Sequence, residues 1–159
     1  MSDWLRDTRA LLAHLSESLL GYPPGLNEVL EPEHQEADDL TAIYSRCGGA
    51  SLPDVWNGYF IDTPARARTA SARAEPLSID GERAISVFGS DGGGGRFAIA
   101  RDTGAVLYLP SGGAVSKSTY WQDERNEVRE VASSGNEFLD RLQRDIEAFI
   151  KGDSDHKYL

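Results

Sequence analysis

Residues 85–100, Ile-Ser-Val-Phe-Gly-Ser-Asp-Gly-Gly-Gly-Gly-Arg-Phe-Ala-Ile-Ala, constrain the fold more than any other stretch of this chain. Two short apolar runs flank four consecutive glycines, and a third run, Val106 to Leu109, follows Asp102-Thr103-Gly104. Runs of Val, Ile and Phe separated by Gly, Asp and Ser read as antiparallel strands joined by hairpins. The run Gly92, Gly93, Gly94 and Gly95 removes every Cβ from one turn, so the backbone there can approach neighbouring chain closely. Asp91, just before it, reads as a turn former. The block locates the centre of a sheet, with strands expected over 84–88, 96–100 and 105–109.

Helical periodicity brackets that sheet. Trp4, Leu5, Leu11, Leu12, Leu15 and Leu19 predict a helix over 3–20, packed on the sheet and stopped by Gly21-Tyr22-Pro23-Pro24-Gly25. Pro32 suits the first turn of a second helix, where Glu33 and Glu36 would favour its dipole. Ala37, Leu40, Ile43, Tyr44 and Cys47 form its stripe, and Gly48-Gly49 its stop. Residues 51–61 read as a turn and a strand. The Ala/Arg segment 63–76 reads as a short surface helix or a mobile loop, with Arg66, Arg68 and Arg73 answering neighbouring carboxylates. Residues 114–120 predict an edge strand. Ser133 or Ser134 caps a final helix whose stripe is Phe138, Leu139, Leu142, Ile146, Phe149 and Ile150. The expected fold is α+β: a mostly antiparallel sheet of about five or six strands, with helices near both ends of the chain packed against it. One domain spans 1–151, and 152–159 forms a polar, frayed tail.

The chain has 159 residues, enough for one core, and its longest apolar runs fall short of a membrane span. Met1-Ser2-Asp3 offers no basic n-region, and the single Cys47 excludes an internal disulfide and suits a reducing compartment. A cytoplasmic protein is the expectation. Sixteen basic residues against twenty-six acidic ones give a formal net charge of -10. That field repels phosphate backbones, so nucleic acid is not expected as a partner, nor is a membrane. It accelerates association with a basic protein instead.

Catalytic motifs are missing. A phosphate-binding loop needs Lys and Ser or Thr after its last glycine, opening a helix; here Arg96-Phe97-Ala98-Ile99 continues as a strand. His14, His34 and His156 have no ligand spacing. Cys47, on a helix stripe, reads as a small buried hydrophobe. Asp38 and Asp39 point to different helix faces and make a poor dyad. No enzyme activity, cofactor or metal is expected.

The strand, Gly-Ser-Asp-Gly-Gly-Gly, Phe-Ala-Ile-Ala and downstream Val-x-Tyr together resemble the core signature of the SUKH superfamily, the Smi/Knr-type domain. Residues 37–49, ending in Tyr44 and the Gly48-Gly49 pair, are similar to that family's helix. Ser51-Leu52-Pro53 with the run to Ile61 resembles its next strand, and Glu137 to Ile150 its closing helix. The likeness covers residues 30 to 151, in order, and leaves the N-terminal helix outside its strongest part. It implies a binding module. Bacterial members of the superfamily are typically immunity proteins that neutralise polymorphic toxins, often nucleases, and fungal members regulate cell-wall synthesis. The partner expected here is a basic toxin domain. The alternative is a general adaptor or regulatory scaffold without a toxin; a nucleotide-binding protein or enzyme using the glycine loop is a further one.

Six carboxylates and no Lys or Arg lie between Glu28 and Asp39. Glu33 and Glu36 would serve the second helix, which leaves Asp38 and Asp39 as the stronger partner contacts. A solvated face is the plainer reading of the same cluster. Tyr120 and Trp121, followed by Gln122-Asp123-Glu124, form the expected exposed aromatic pair of the interface. Trp56 reads equally as core.

Overall fold

A computed structural model describes residues 3–18, 26–33 and 37–159. The elements are α1 (Trp4–Ser18), β1 (Glu28–Val29), α2 (Thr41–Tyr44), β2 (Ala50–Leu52), β3 (Tyr59–Ile61), α3 (Pro64–Arg68), β4 (Ser78–Ile79), β5 (Arg83–Asp91), β6 (Arg96–Ala100), β7 (Val106–Leu109), β8 (Ala114–Ser116), β9 (Thr119–Trp121), β10 (Arg129–Ala132) and α4 (Gly135–Lys151). The α+β class and the helices near both ends are as expected. The strand count is not: among the described residues, ten strands share one sheet. Additional ones such as β1 and β4 are two residues long, too short to impose a readable alternation.

β5, β6, β7 and β10 form an antiparallel ladder. The other edge of β5 is shared. Its C-terminal end pairs with β3, which continues to β2 and β1. Its N-terminal end pairs with β4, which runs parallel to β9, and β9 pairs with β8. The sheet therefore forks at β5.

Both faces of the ladder are apolar. Phe88, Phe97, Ile99 and Val106 face one core with α4, where Phe138 meets Phe88 edge-on at 5.3 Å and Phe97 at 5.0 Å. Full burial of one such ring contributes about 2–3 kcal/mol. Ile85, Val87, Ala98, Ala100, Leu107 and Leu109 face a second core, closed by Ile79 and Tyr120 from the β4–β9 branch. α1 packs against α4 and against β1 at one edge of the sheet, and Trp4 Nε1–H donates to the Leu139 carbonyl at 2.7 Å. Ser134 caps α4 by accepting the Glu137 N–H, while the Glu137 carboxylate accepts from Ser133 N–H and Oγ–H, both at 2.6 Å.

The second helix is corrected to a single turn. Leu30 exchanges backbone hydrogen bonds with Gly48 and Gly49, and a Cβ on Gly48 would sit 1.9 Å from the Glu31 carbonyl. This pairing holds residues 28–31 extended. Asp38 then accepts the Leu40 N–H and gives its own to Thr41 Oγ1, a side-chain turn that competes with helix. Glu33 is exposed outside any helix; Glu36 lies outside the described residues.

Asp91 closes the glycine turn. Its Oδ1 accepts from Gly93 and Gly95 N–H at 2.9 and 2.8 Å, and its Oδ2 from the Tyr108 hydroxyl at 2.7 Å. Gly94 has φ +87°, and a Cβ on Gly92 would meet the Asn57 carbonyl oxygen at 1.9 Å. Gly93 needs neither property: its Cβ would sit 3.4 Å from Asp91 Oδ1. The four glycines are thus unequal. Gly92→Ala is expected to cost about 2 kcal/mol or more and Gly93→Ala within about 0.5 kcal/mol, read by urea denaturation. Equal costs would contradict the geometry.

Candidate functional site

Asp38 and Asp39 are not uncompensated. Arg68, from α3, donates Nε and Nη2 to Asp38 Oδ2 at 3.1 and 2.9 Å. Arg101, just beyond β6, places Nε 3.5 Å from Asp39 Oδ2 while donating it to Ser86 Oγ at 3.0 Å. These side chains, with Leu40, Ala67 and Leu77, line an open cleft of about 320 Å³. Arg66 and Arg73 pair with Asp62 in the same way, at 2.9 and 3.3 Å. Of the acidic segment's remainder, Glu31 pairs with Arg9 at 2.6 Å, and Glu33 has no ion pair among the described residues.

Tyr120 and Trp121 part company. Adjacent residues of a strand point to opposite faces, and β9 sends Tyr120 into the second core. Tyr120 is fully buried, its ring fills the space over Gly113, where a Cβ would come within 2.1 Å, and its hydroxyl donates to the Pro110 carbonyl at 2.6 Å. Tyr120 is therefore a core residue, and its expected place in an exposed pair is corrected. Trp121 remains 45% exposed. Its Nε1–H donates to Ser116 Oγ at 3.0 Å, and its ring lies 3.8 Å from where a Gly81 Cβ would be.

Carboxylates surround Trp121 in sequence and space. Asp80 receives both the backbone and side-chain amide of Gln122, at 3.1 and 2.6 Å. Asp123 accepts the backbone N–H of Arg125 and both the backbone and side-chain amides of Asn126, which hold its carboxyl below the usual range. Glu82 and Glu124 are exposed and have no ion pair among the described residues. Trp56 is 53% exposed.

The sequence missed a third constellation. Asp145 sits on the inward stripe of α4, three residues beyond Leu142 and next to Ile146, and is only 2% exposed. Its Oδ2 accepts from the Tyr59 hydroxyl and from the Leu159 N–H, each at 2.9 Å; its Oδ1 lies 2.6 Å from His156 Nε2. Tyr158 stacks on Trp56 with centroids 4.3 Å apart, and Leu159 enters the main core. The tail is therefore docked, not frayed. A lone Asp within an apolar stripe was the signal: a buried carboxylate must find donors somewhere. Among the described residues, no group of three or more metal-ligating side chains occurs.

Burial governs the titration of the interior. It pushes the Cys47 thiol up to about 11, and it leads the rise of the Tyr108 hydroxyl to about 12, with Asp91 adding to it. Tyr44 and Tyr59 go up by burial first, then by Asp62 and Asp145 respectively.

His156→Ala leaves Asp145 buried with one donor fewer, an expected cost of about 2–3 kcal/mol by denaturation; a loss below about 0.5 kcal/mol would mean the tail is not docked. The tyrosines generate an alkaline limit. Their neutral forms are favoured in the fold, so that stability is intact below about pH 10, where unfolded tyrosine titrates, and is lost as pH rises through the folded values. Tyrosinate absorbance is expected to lag an exposed-tyrosine curve and then rise together with loss of circular dichroism.

Comparison of the chain with protein-family models, with curated proteins and with solved structures returned no match.

Proposed function

We propose that this chain is a non-enzymatic protein-binding module of the SUKH type, a cytoplasmic immunity protein that neutralises a basic toxin domain. One observation carries the reading: a net charge of -10 on a chain in which ten of the sixteen Lys and Arg side chains are already ion-paired internally. The exposed carboxylates Asp123 and Glu124 follow the half-exposed Trp121 in the chain. A toxin that cleaves nucleic acid needs a basic groove, and an acidic partner with an aromatic anchor can cover it, steered by long-range attraction. The buried, unreactive Cys47 suits a reducing compartment.

The contact surface is assigned to Trp121 with Asp123, Glu124 and Glu82, and to Glu33. Asp38 and Asp39 take a smaller part because Arg68 and Arg101 already answer them. The test is binding kinetics against the toxin-like product of the neighbouring gene. Reversal of Glu33, Asp123 and Glu124 to Lys is expected to slow association several-fold, as salt does for the wild type, since exposed charges act mainly on the on-rate. Trp121→Ala is expected to speed dissociation by an amount on the order of 2 kcal/mol. Association indifferent to both salt and reversal would overturn the acidic surface, and absence of binding would overturn the immunity role.

A further inference from the structure

We infer that the cleft between α4 and the docked tail binds a phosphate-type oxyanion, free or as the monoester of a small molecule. The cleft has a volume of about 450 Å³ and is lined by Glu137, Arg141, Arg144, Asp145, His156 and Lys157. Small-molecule sites span roughly 300–1,000 Å³.

Positive charge gathers here in a chain that is acidic elsewhere. Six Lys and Arg side chains have no ion pair with a described carboxylate, and three of them, Arg141, Arg144 and Lys157, line this one cleft. Arg141 spends one guanidinium N–H on the Val131 carbonyl. Arg144 and Lys157 are exposed and make no hydrogen bond or ion pair with a described residue, and Arg144 acts on Glu137 only through its field.

The two carboxylates in the lining are already engaged. Glu137 accepts from Ser133 N–H and Oγ–H, and the Asp145 side chain is 3% exposed and takes the tail and Tyr59 as partners. The cleft thus offers a ligand cationic donors and few free acceptors. A planar guanidinium beside an ammonium suits a tetrahedral oxyanion with several acceptor oxygens. Lys157 and His156 come from the tail, so the site exists only while Asp145 holds the tail in place. An anion bound there stabilises the docked tail by linkage.

The test is thermal unfolding of the full chain in inorganic phosphate against chloride at matched ionic strength, with calorimetric titration of phosphate and of glycerol phosphate. A saturable rise in Tm is expected in phosphate. The exposed double variant Arg144→Gln, Lys157→Gln, with its fold checked by circular dichroism, is expected to bind about tenfold more weakly or worse. Both titration results support the site: tighter glycerol phosphate assigns it to monoesters, and equal or weaker binding assigns it to the free anion. A non-saturating rise, the general salting effect of phosphate, would overturn the proposal. So would a saturable rise unchanged in the double variant.

Discussion

The central strands β5, β6 and β7 are apolar on both faces, and that constraint organises the rest of the molecule. An antiparallel sheet commonly keeps one face wet. Here Ile85, Val87, Ala98 and Leu107 look one way, and Phe88, Phe97, Ile99 and Val106 the other. Each face needs a cover. α4 supplies one, with α1 stacked beside it through the Trp4 hydrogen bond to the Leu139 carbonyl. The fork at β5 supplies the other, because a nine-residue strand has enough edge for β3 at one end and β4 at the other. The branch through β4 and β9 then brings Tyr120 over the second face.

A single buried carboxylate, that of Asp145, sets the fate of the chain's last residues. Taken out of water without partners, a carboxylate costs several kcal/mol. Tyr59, His156 and the Leu159 amide replace the lost water. The tail that supplies two of these donors also covers Trp56 with Tyr158 and buries Leu159. A polar segment thereby becomes part of the core, and it carries Lys157 to the side of α4.

The surface chemistry separates into two regions. Ion pairs consume most of the arginines, several across long sequence distances, such as Arg68 with Asp38 and Arg96 with Glu75. What remains is an acidic exterior with Trp121 on one hairpin, and a donor-rich cleft beside α4. The basic protein proposed as partner suits the first and the proposed oxyanion the second, so the two proposals draw on different residues.

The sequence by itself determined the α+β class, the β5–β6–β7 hairpins, α4 with its cap and stripe, the helix at the N-terminus and the turn role of Asp91, because each is written in local periodicity or turn chemistry. It also marked Cys47 as buried and the Ala/Arg segment as answering carboxylates. Only the tertiary structure decided the fork of the sheet, since two-residue strands such as β1 and β4 carry no alternation and exist through their neighbours. It reduced the second helix to one turn, because pairing of Leu30 with Gly48 and Gly49 outweighed helical spacing. It compensated Asp38 and Asp39 with arginines 30 and 62 residues away, and it sent Tyr120 inward while leaving Trp121 outside. It also docked the tail on Asp145. Charge, burial and strand facing depend on which distant segments meet, and a one-dimensional pattern does not record that.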